Sequence, residues 1–172
     1  GLSWYDTIFN TSNIIVNLDK IKKKFIFNKY KGELTISSQY KIYHIINKLN
    51  RFGWSLFSIP GGYDVSVGGC IGNDVHGKDS FKYGNFSQNI IEFEIILPNK
   101  KIIRCSKKKN NNIFKAACGG LGLIGIITEV KLKLKPISKL YKSITVPCYN
   151  HKDLITNLYK DIEKYEYVNG WV

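Results

Sequence analysis

A chain of 172 residues that is 44% hydrophobic and 23% charged is long enough to bury a core and too apolar to remain disordered. Its apolar runs are too short to cross a bilayer, its opening residues do not read as a signal peptide, and four scattered cysteines without a C-x-x-C pair exclude a zinc ribbon or a dense disulfide framework. The charge of +13 raises nucleic acid as a partner, but the excess is nearly all lysine, clustered at Lys22–Lys24 and Lys107–Lys109 in expected loops, without the interleaved aromatics of an RNA-reading platform.

The charge is therefore assigned to solubility, with some attraction for a phosphorylated substrate. A basic nucleic-acid binder stays open as a separate class, to be tested by salt-dependent retention. Unpaired thiols suit a cytoplasmic protein.

In chain order, Gly1-Leu2-Ser3-Trp4-Tyr5-Asp6 reads as a polar turn. Ile14–Leu18 and Phe25–Tyr30 read as short strands about the basic turn Lys20–Lys24, and Glu33–Ile36 as another. Ile42, Ile45, Ile46 and Leu49 recur at helical spacing, with Ser37-Ser38 ahead as a cap and Gly53 as a stop. His44 lies off that stripe and reads as a surface residue.

From Ser58 to Gly84 the chain is dense in glycine: Gly61-Gly62, Gly68-Gly69, Gly72, Gly77 and Gly84, with His76-Gly77-Lys78 near the middle. The stretch reads as neither a helix nor a solvated linker. Two readings remain, a series of tight turns or a backbone cradle for a phosphate-bearing ligand. Within it a lone histidine is an ordinary structural hydrogen-bonder, Lys78 suits solvent, and Asp74 is a turn-former rather than a base.

Further on, Ile91–Leu97 and Ile102–Cys105 form a hairpin about Pro98-Asn99-Lys100, and Ile113–Cys118 is helix-compatible. Gly120, Gly122 and Gly125 satisfy G-x-G-x-x-G, but the next segment reads as a strand rather than a helix. It places Ile127, Glu129, Lys131 and Lys133 on one face and Thr128, Val130, Leu132 and Leu134 on the other. No acid falls between Glu129 and Asp153, so a dinucleotide fingerprint of the doubly wound kind is set aside. Pro136 ends the strand, Tyr141–Val146 suggests one more, and a helix with Leu154, Leu158 and Ile162 on one side starts at Asn150.

Three motifs in order, Pro60-Gly61, Val65-Ser66-Val67-Gly68-Gly69 and Asp74-Val75-His76-Gly77-Lys78, resemble the FAD-binding domain of the vanillyl-alcohol-oxidase (PCMH-type) flavoenzymes. Within that superfamily they look most like the decaprenylphosphoryl-ribose oxidase branch and its sugar-oxidising relatives. The resemblance implies an α+β fold: a mixed or antiparallel sheet with flanking helices, in two small subdomains. It implies non-covalent FAD, because Leu2 stands where several relatives carry the histidine that bonds the flavin.

By the same resemblance Ser3, Trp4 and Asp6 end the first phosphate loop, with Tyr5 departing from the usual glycine. Gly61, Ser66, Val67, Gly68 and Gly69 hold the pyrophosphate and ribityl chain. His76 and Gly77 lie beside the flavin, and Gly119, Gly120, Gly125, Ile126 and Ile127 line its ring system. His76 and Lys78 are the implied catalytic residues, with no metal.

Residues 1–146 would be the FAD-binding domain with its first strands missing, and 147–172 the start of a substrate domain, so the chain reads as a fragment. The implied reaction is hydride removal from a sugar carbinol, the substrate being a polyprenyl-phosphopentose. A separate NAD(P)H-dependent reductase would complete an epimerisation, and peripheral membrane association would be compatible. The alternatives are an aldonolactone or alditol oxidase using oxygen, and a truncated flavin-binding module without activity.

Overall fold

Apolar and charged residues alternate along one long strand near the end of the chain, and the sheet is assembled around it. The computed structural model describes residues 16–171. Its strands are β1 (Phe25–Asn28), β2 (Glu33–Ser37), β3 (Trp54–Leu56), β4 (Ile90–Ile96), β5 (Ile102–Cys105) and β6 (Ile126–Pro136). They form one sheet in the order β1-β2-β6-β4-β5, with β3 pairing the last residues of β6. The strand pairs are antiparallel. Its helices are α1 (Ile42–Leu49), α2 (Val67–Gly72), α3 (Ser80–Tyr83), α4 (Asn111–Ala117) and α5 (His151–Asp161). The α+β class expected from the sequence is the class found.

One face of the sheet is apolar. Leu34 and Ile36 of β2 sit opposite Leu132 and Val130 of β6, and Phe93 and Ile95 of β4 join them. These six are at most 1% exposed, and Ile42, Ile45 and Leu49 of α1, with Val67, Cys70 and Ile71 of α2, belong to the same core. Burial pushes the Cys70 thiol up to about 12, so it stays protonated and packs as a small hydrophobe.

Two β-bulges keep that face continuous. Pairing steps from Glu94↔Glu129 to Ile95↔Ile127, leaving Thr128 extra on β6, and from Ile90↔Leu132 to Glu92↔Lys131, leaving Ile91 extra on β4. The strict alternation read from the sequence put Ile127 with the lysines. The bulge at Thr128 flips the phase instead and brings Ile127 into the core.

The opposite face is charged. Glu129 accepts from Lys24 at 2.6 Å and from Arg104 at 3.0 Å, and Arg104 also reaches Glu92 and Glu94. Burial pushes the Glu129 carboxyl up, but the hydrogen bonds from Lys24 and Arg104 outweigh it and hold the group below its ordinary value. A carboxylate with a depressed folded pKa stabilises above its unfolded value, about 4.3, and loses that contribution as pH falls through the folded one. Urea midpoints should therefore fall more steeply below about pH 4 in the parent protein than in Glu129→Gln. Parallel curves would contradict this.

Several local expectations are corrected. α1 starts after Lys41 with no side-chain cap, and Ser37-Ser38 turn inward instead, both nearly fully buried. Gly53 does stop the α1 segment, in the left-handed region at φ 74°. The glycine-rich stretch contains a helix after all, α2, because Ser66 Oγ caps it by accepting from the Gly69 amide at 3.1 Å and three of its side chains are buried. Tyr141–Val146 forms no strand. Of the strand expected at Ile14–Leu18, Val16–Leu18 carry no regular structure and the first two residues lie outside the described residues. The last helix starts where expected, with Asn150 Oδ1 accepting from the Asp153 amide. Among the described residues, no helix is long and apolar enough to cross a membrane.

Candidate functional site

The glycine motifs meet in two places. In the first, the Gly119–Gly122 turn lies directly on the end of α2. Gly119 N–H donates to Ile71 O at 2.9 Å and Leu121 N–H to Gly72 O at 2.8 Å, flanking Gly120. Gly119 adopts φ 79°, and a Cβ there would stand 3.7 Å from Asp74 Cβ. A Cβ on Gly125 would stand 2.5 Å from Ile96 O, so the approach to Ile126 and Ile127 at the start of β6 passes tightly over the end of β4.

Within α2 the amides are already occupied. Val67 N–H donates to Tyr40 O, Gly68 N–H to Ser38 O, and Gly69 N–H to Ser66 Oγ. The first two dock the helix on the segment after β2, and the third is the helix's own cap. Ser38 is 2% exposed, and its Oγ has no hydrogen-bond partner among the described residues. It stands 3.7 Å from where a Gly68 Cβ would be.

In the second place, Gly61, His76, Gly77 and Lys78 border one cleft of 730 Å³, together with Tyr43, Tyr63 and Tyr167. His76 and Lys78 are exposed. The loop carrying them is fixed by backbone contact: a Cβ on Gly77 would stand 2.7 Å from the main chain of Ser58 and Ile59. Gly77 N–H donates to Ser80 Oγ at 2.8 Å, and Ser80 N–H returns to Gly77 O at 3.1 Å. The Gly61 and Gly62 amides donate to nothing among the described residues, and a Cβ on either glycine would meet nothing within 4 Å.

Asp74 joins the two places. Its φ is 40°, its carboxylate accepts from the Ser87 amide at 2.9 Å, and it borders Gly119 two residues before His76. That geometry is a turn-former's. Ser3, Trp4 and Asp6 lie outside the described residues.

Sequence reasoning missed the charged group behind the cleft. Lys135, at the end of β6, has a 5% exposed side chain and donates to Asp79 Oδ2 at 2.8 Å, with Glu166 Oε1 at 3.0 Å. Burial alone would pull its pKa down, but the two carboxylates hold it above the ordinary lysine value. Asp79 also accepts from the buried Ser58 amide. Lys135 continues the surface alternation of Lys131 and Lys133, so nothing in its local sequence marks it as buried.

A cleft bordered by the open Gly61 amide and a wall of tyrosines suits a ligand with phosphates and a flat ring. The comparisons with known proteins agree. The fold resembles crystalline 6-hydroxy-D-nicotine oxidase from Arthrobacter nicotinovorans, with a TM-score of 0.60 over 66% of this chain and 25% of that one, at 21% identity. That likeness defines a class of fold. A family profile described as "FAD binding domain" matches residues 1–106. The chain belongs to the FAD-binding-domain family, flavoproteins of the vanillyl-alcohol-oxidase (PCMH) type, and the cofactor of that family is FAD.

Among similar proteins, a Neurospora crassa protein provisionally named D-arabinono-1,4-lactone oxidase is 30% identical over 94% of this chain and 29% of its own length. Bovine L-gulonolactone oxidase is 26% identical over 91% of the chain and 35% of its own length. Cytokinin dehydrogenase 1 of Arabidopsis thaliana is 27% identical over 77% and 24%. The chain thus spans about a third or less of these relatives.

Proposed function

We propose that this chain is the flavin-holding part of an oxidoreductase that oxidises a hydroxyl of a sugar or aldonolactone to a ketone. The observation that carries the reading is the single cleft shared by Gly61, His76 and Lys78 and walled by tyrosines. FAD, when bound, supplies the two-electron acceptor for a hydride leaving the carbinol carbon. The open amides of Gly61 and Gly62 would hold phosphate or ribityl oxygens, and the Gly119–Ile127 turn would line the ring system. His76 would hydrogen-bond beside the reactive face, and Lys78 would set a mobile point charge against a sugar hydroxyl or phosphate. The tyrosines would stack on the sugar ring and exclude water. Leu2 in the first phosphate loop supports a flavin that is not covalently attached through that position. Residues 1–146 would form the flavin domain and 147–172 the entry to a substrate domain.

Two substrate classes divide the support. The relatives named for aldonolactones favour an aldonolactone or alditol oxidase returning electrons to oxygen. The His76-Gly77-Lys78 triplet favours a polyprenyl-phosphopentose, with a partner reductase using NAD(P)H to complete an epimerisation. An absorption spectrum decides the first question: flavin bands released by acid or heat are expected, and a colourless protein that FAD cannot reconstitute would sink the reading. Anaerobic bleaching by one substrate class and not the other decides the second.

Lys78→Ala should lower kcat/KM for the sugar by about 10- to 100-fold, the size of one lost charged hydrogen bond, with flavin content unchanged. Loss of flavin instead would make Lys78 a cofactor residue.

A further inference from the structure

We propose that Lys135 is a positioning residue for the His76–Lys78 loop, clamping it against the Glu166–Val168 segment at the back of the cleft; the inference rests on the flavin reading of that cleft.

The clamp has two arms from one ammonium. On one side Lys135 holds Asp79, the residue directly after Lys78, and Asp79 in turn accepts from the amide of Ser58, which is held at φ 50°. Gly77 rests on the main chain of Ser58 and Ile59, so the position of the loop follows that of Ser58. On the other side Lys135 meets Glu166, and two residues on the Val168 N–H donates to Lys78 O at 3.2 Å. The rings of Tyr167, Tyr83 and Phe57 enclose the ammonium, with centroids at 4.3, 5.2 and 5.8 Å. Tyr167 also borders the cleft, so the same group that closes over Lys135 forms a wall of the site.

Well-packed apolar residues in place of the whole ionic group would hold the fold as well, whereas a buried cation shared by carboxylates from two distant segments specifies how those segments meet. Removing the cation leaves Asp79 buried and opposed to Glu166. That penalty falls on the contacts joining the two segments, and the β4–β6 ladder is untouched.

The test is amide exchange by NMR on the full chain, with FAD titrated in parallel, for the parent, Lys135→Met, Lys135→Arg and Glu166→Gln. In Lys135→Met the Ser58 and Val168 amides should exchange at least about tenfold faster while those of Phe93 and Val130 keep the parent rate, since a local opening leaves the rest of the sheet closed. FAD affinity should drop by about tenfold or more, and Lys135→Arg should restore most of both, because guanidinium keeps the charge. Unchanged rates at Ser58 and Val168, or an equal rise across the whole sheet, would overturn the proposal. If Lys135→Met does not fold, Glu166→Gln decides: faster exchange at Val168 alone supports the clamp, and no change there rejects it. Failure of the parent to take FAD would sink the flavin reading, and the exchange rates would still decide the clamp.

Discussion

Gly120→Val is expected to cost about 3 kcal/mol of stability, a large loss for a surface turn. A Cβ at this position would be driven into the carbonyl oxygen of Ala116, and Ile124 Cγ1 closes the other side at 3.2 Å. The obstacle is backbone, so no rotamer change relieves it. The turn must lift, and the hydrogen bonds from Gly119 to Ile71 and from Leu121 to Gly72 stretch with it. Overpacking of this kind costs about 1–3 kcal/mol, and each lost internal hydrogen bond about 0.5–1.5 kcal/mol. Urea midpoints give the measurement, with Gly61→Val as the comparison, since a Cβ there meets open space. A loss below about 1 kcal/mol would mean that the turn has room to move and does not fix the seat of α2.

Phe93→Ala is expected to be the most damaging single truncation, about 3–5 kcal/mol. Phe93 is fully buried at the centre of β4 and stacks on Phe114 of α4 at 5.1 Å with an interplanar angle of 15°. That pair fastens α4 to the sheet, and α4 leads straight into the Gly119 turn. The cavity would therefore loosen the helix that delivers one wall of the proposed flavin site. Phe114→Ala and the double variant complete a cycle in which the ring pair should show a coupling of about 0.5–1.5 kcal/mol. Additive losses would show the stack to be incidental.

Much of the sheet was legible because its strands carry their own evidence. Phe25–Asn28, Glu33–Ser37 and the hairpin of β4 and β5 alternate over enough residues to declare a period of two. The Ile42, Ile45, Leu49 stripe did the same for α1. What stayed hidden depends on partners distant in the chain. α2 is half glycine, and its helical form comes from burial of Val67, Cys70 and Ile71 and from a serine cap. Tyr141–Val146 has strand-forming residues but no neighbouring strand to bond, and propensity alone does not make a sheet. In the candidate site the motifs announced Gly61, His76 and Lys78. Lys135 and Glu166 could not be found that way, since a charge is recognised as buried only once its covering segments are known.

The two bulges carry a consequence for how this domain tolerates change. With one surplus residue in each of two bonded strands, at Ile91 and at Thr128, the inside–outside assignment rests on residue count as well as on side-chain chemistry. A single deletion in either strand would turn isoleucines to solvent and glutamates to the interior, however conservative the remaining sequence. Insertions and deletions should therefore be tolerated in connecting segments such as 137–149, where no ladder has to be kept in step.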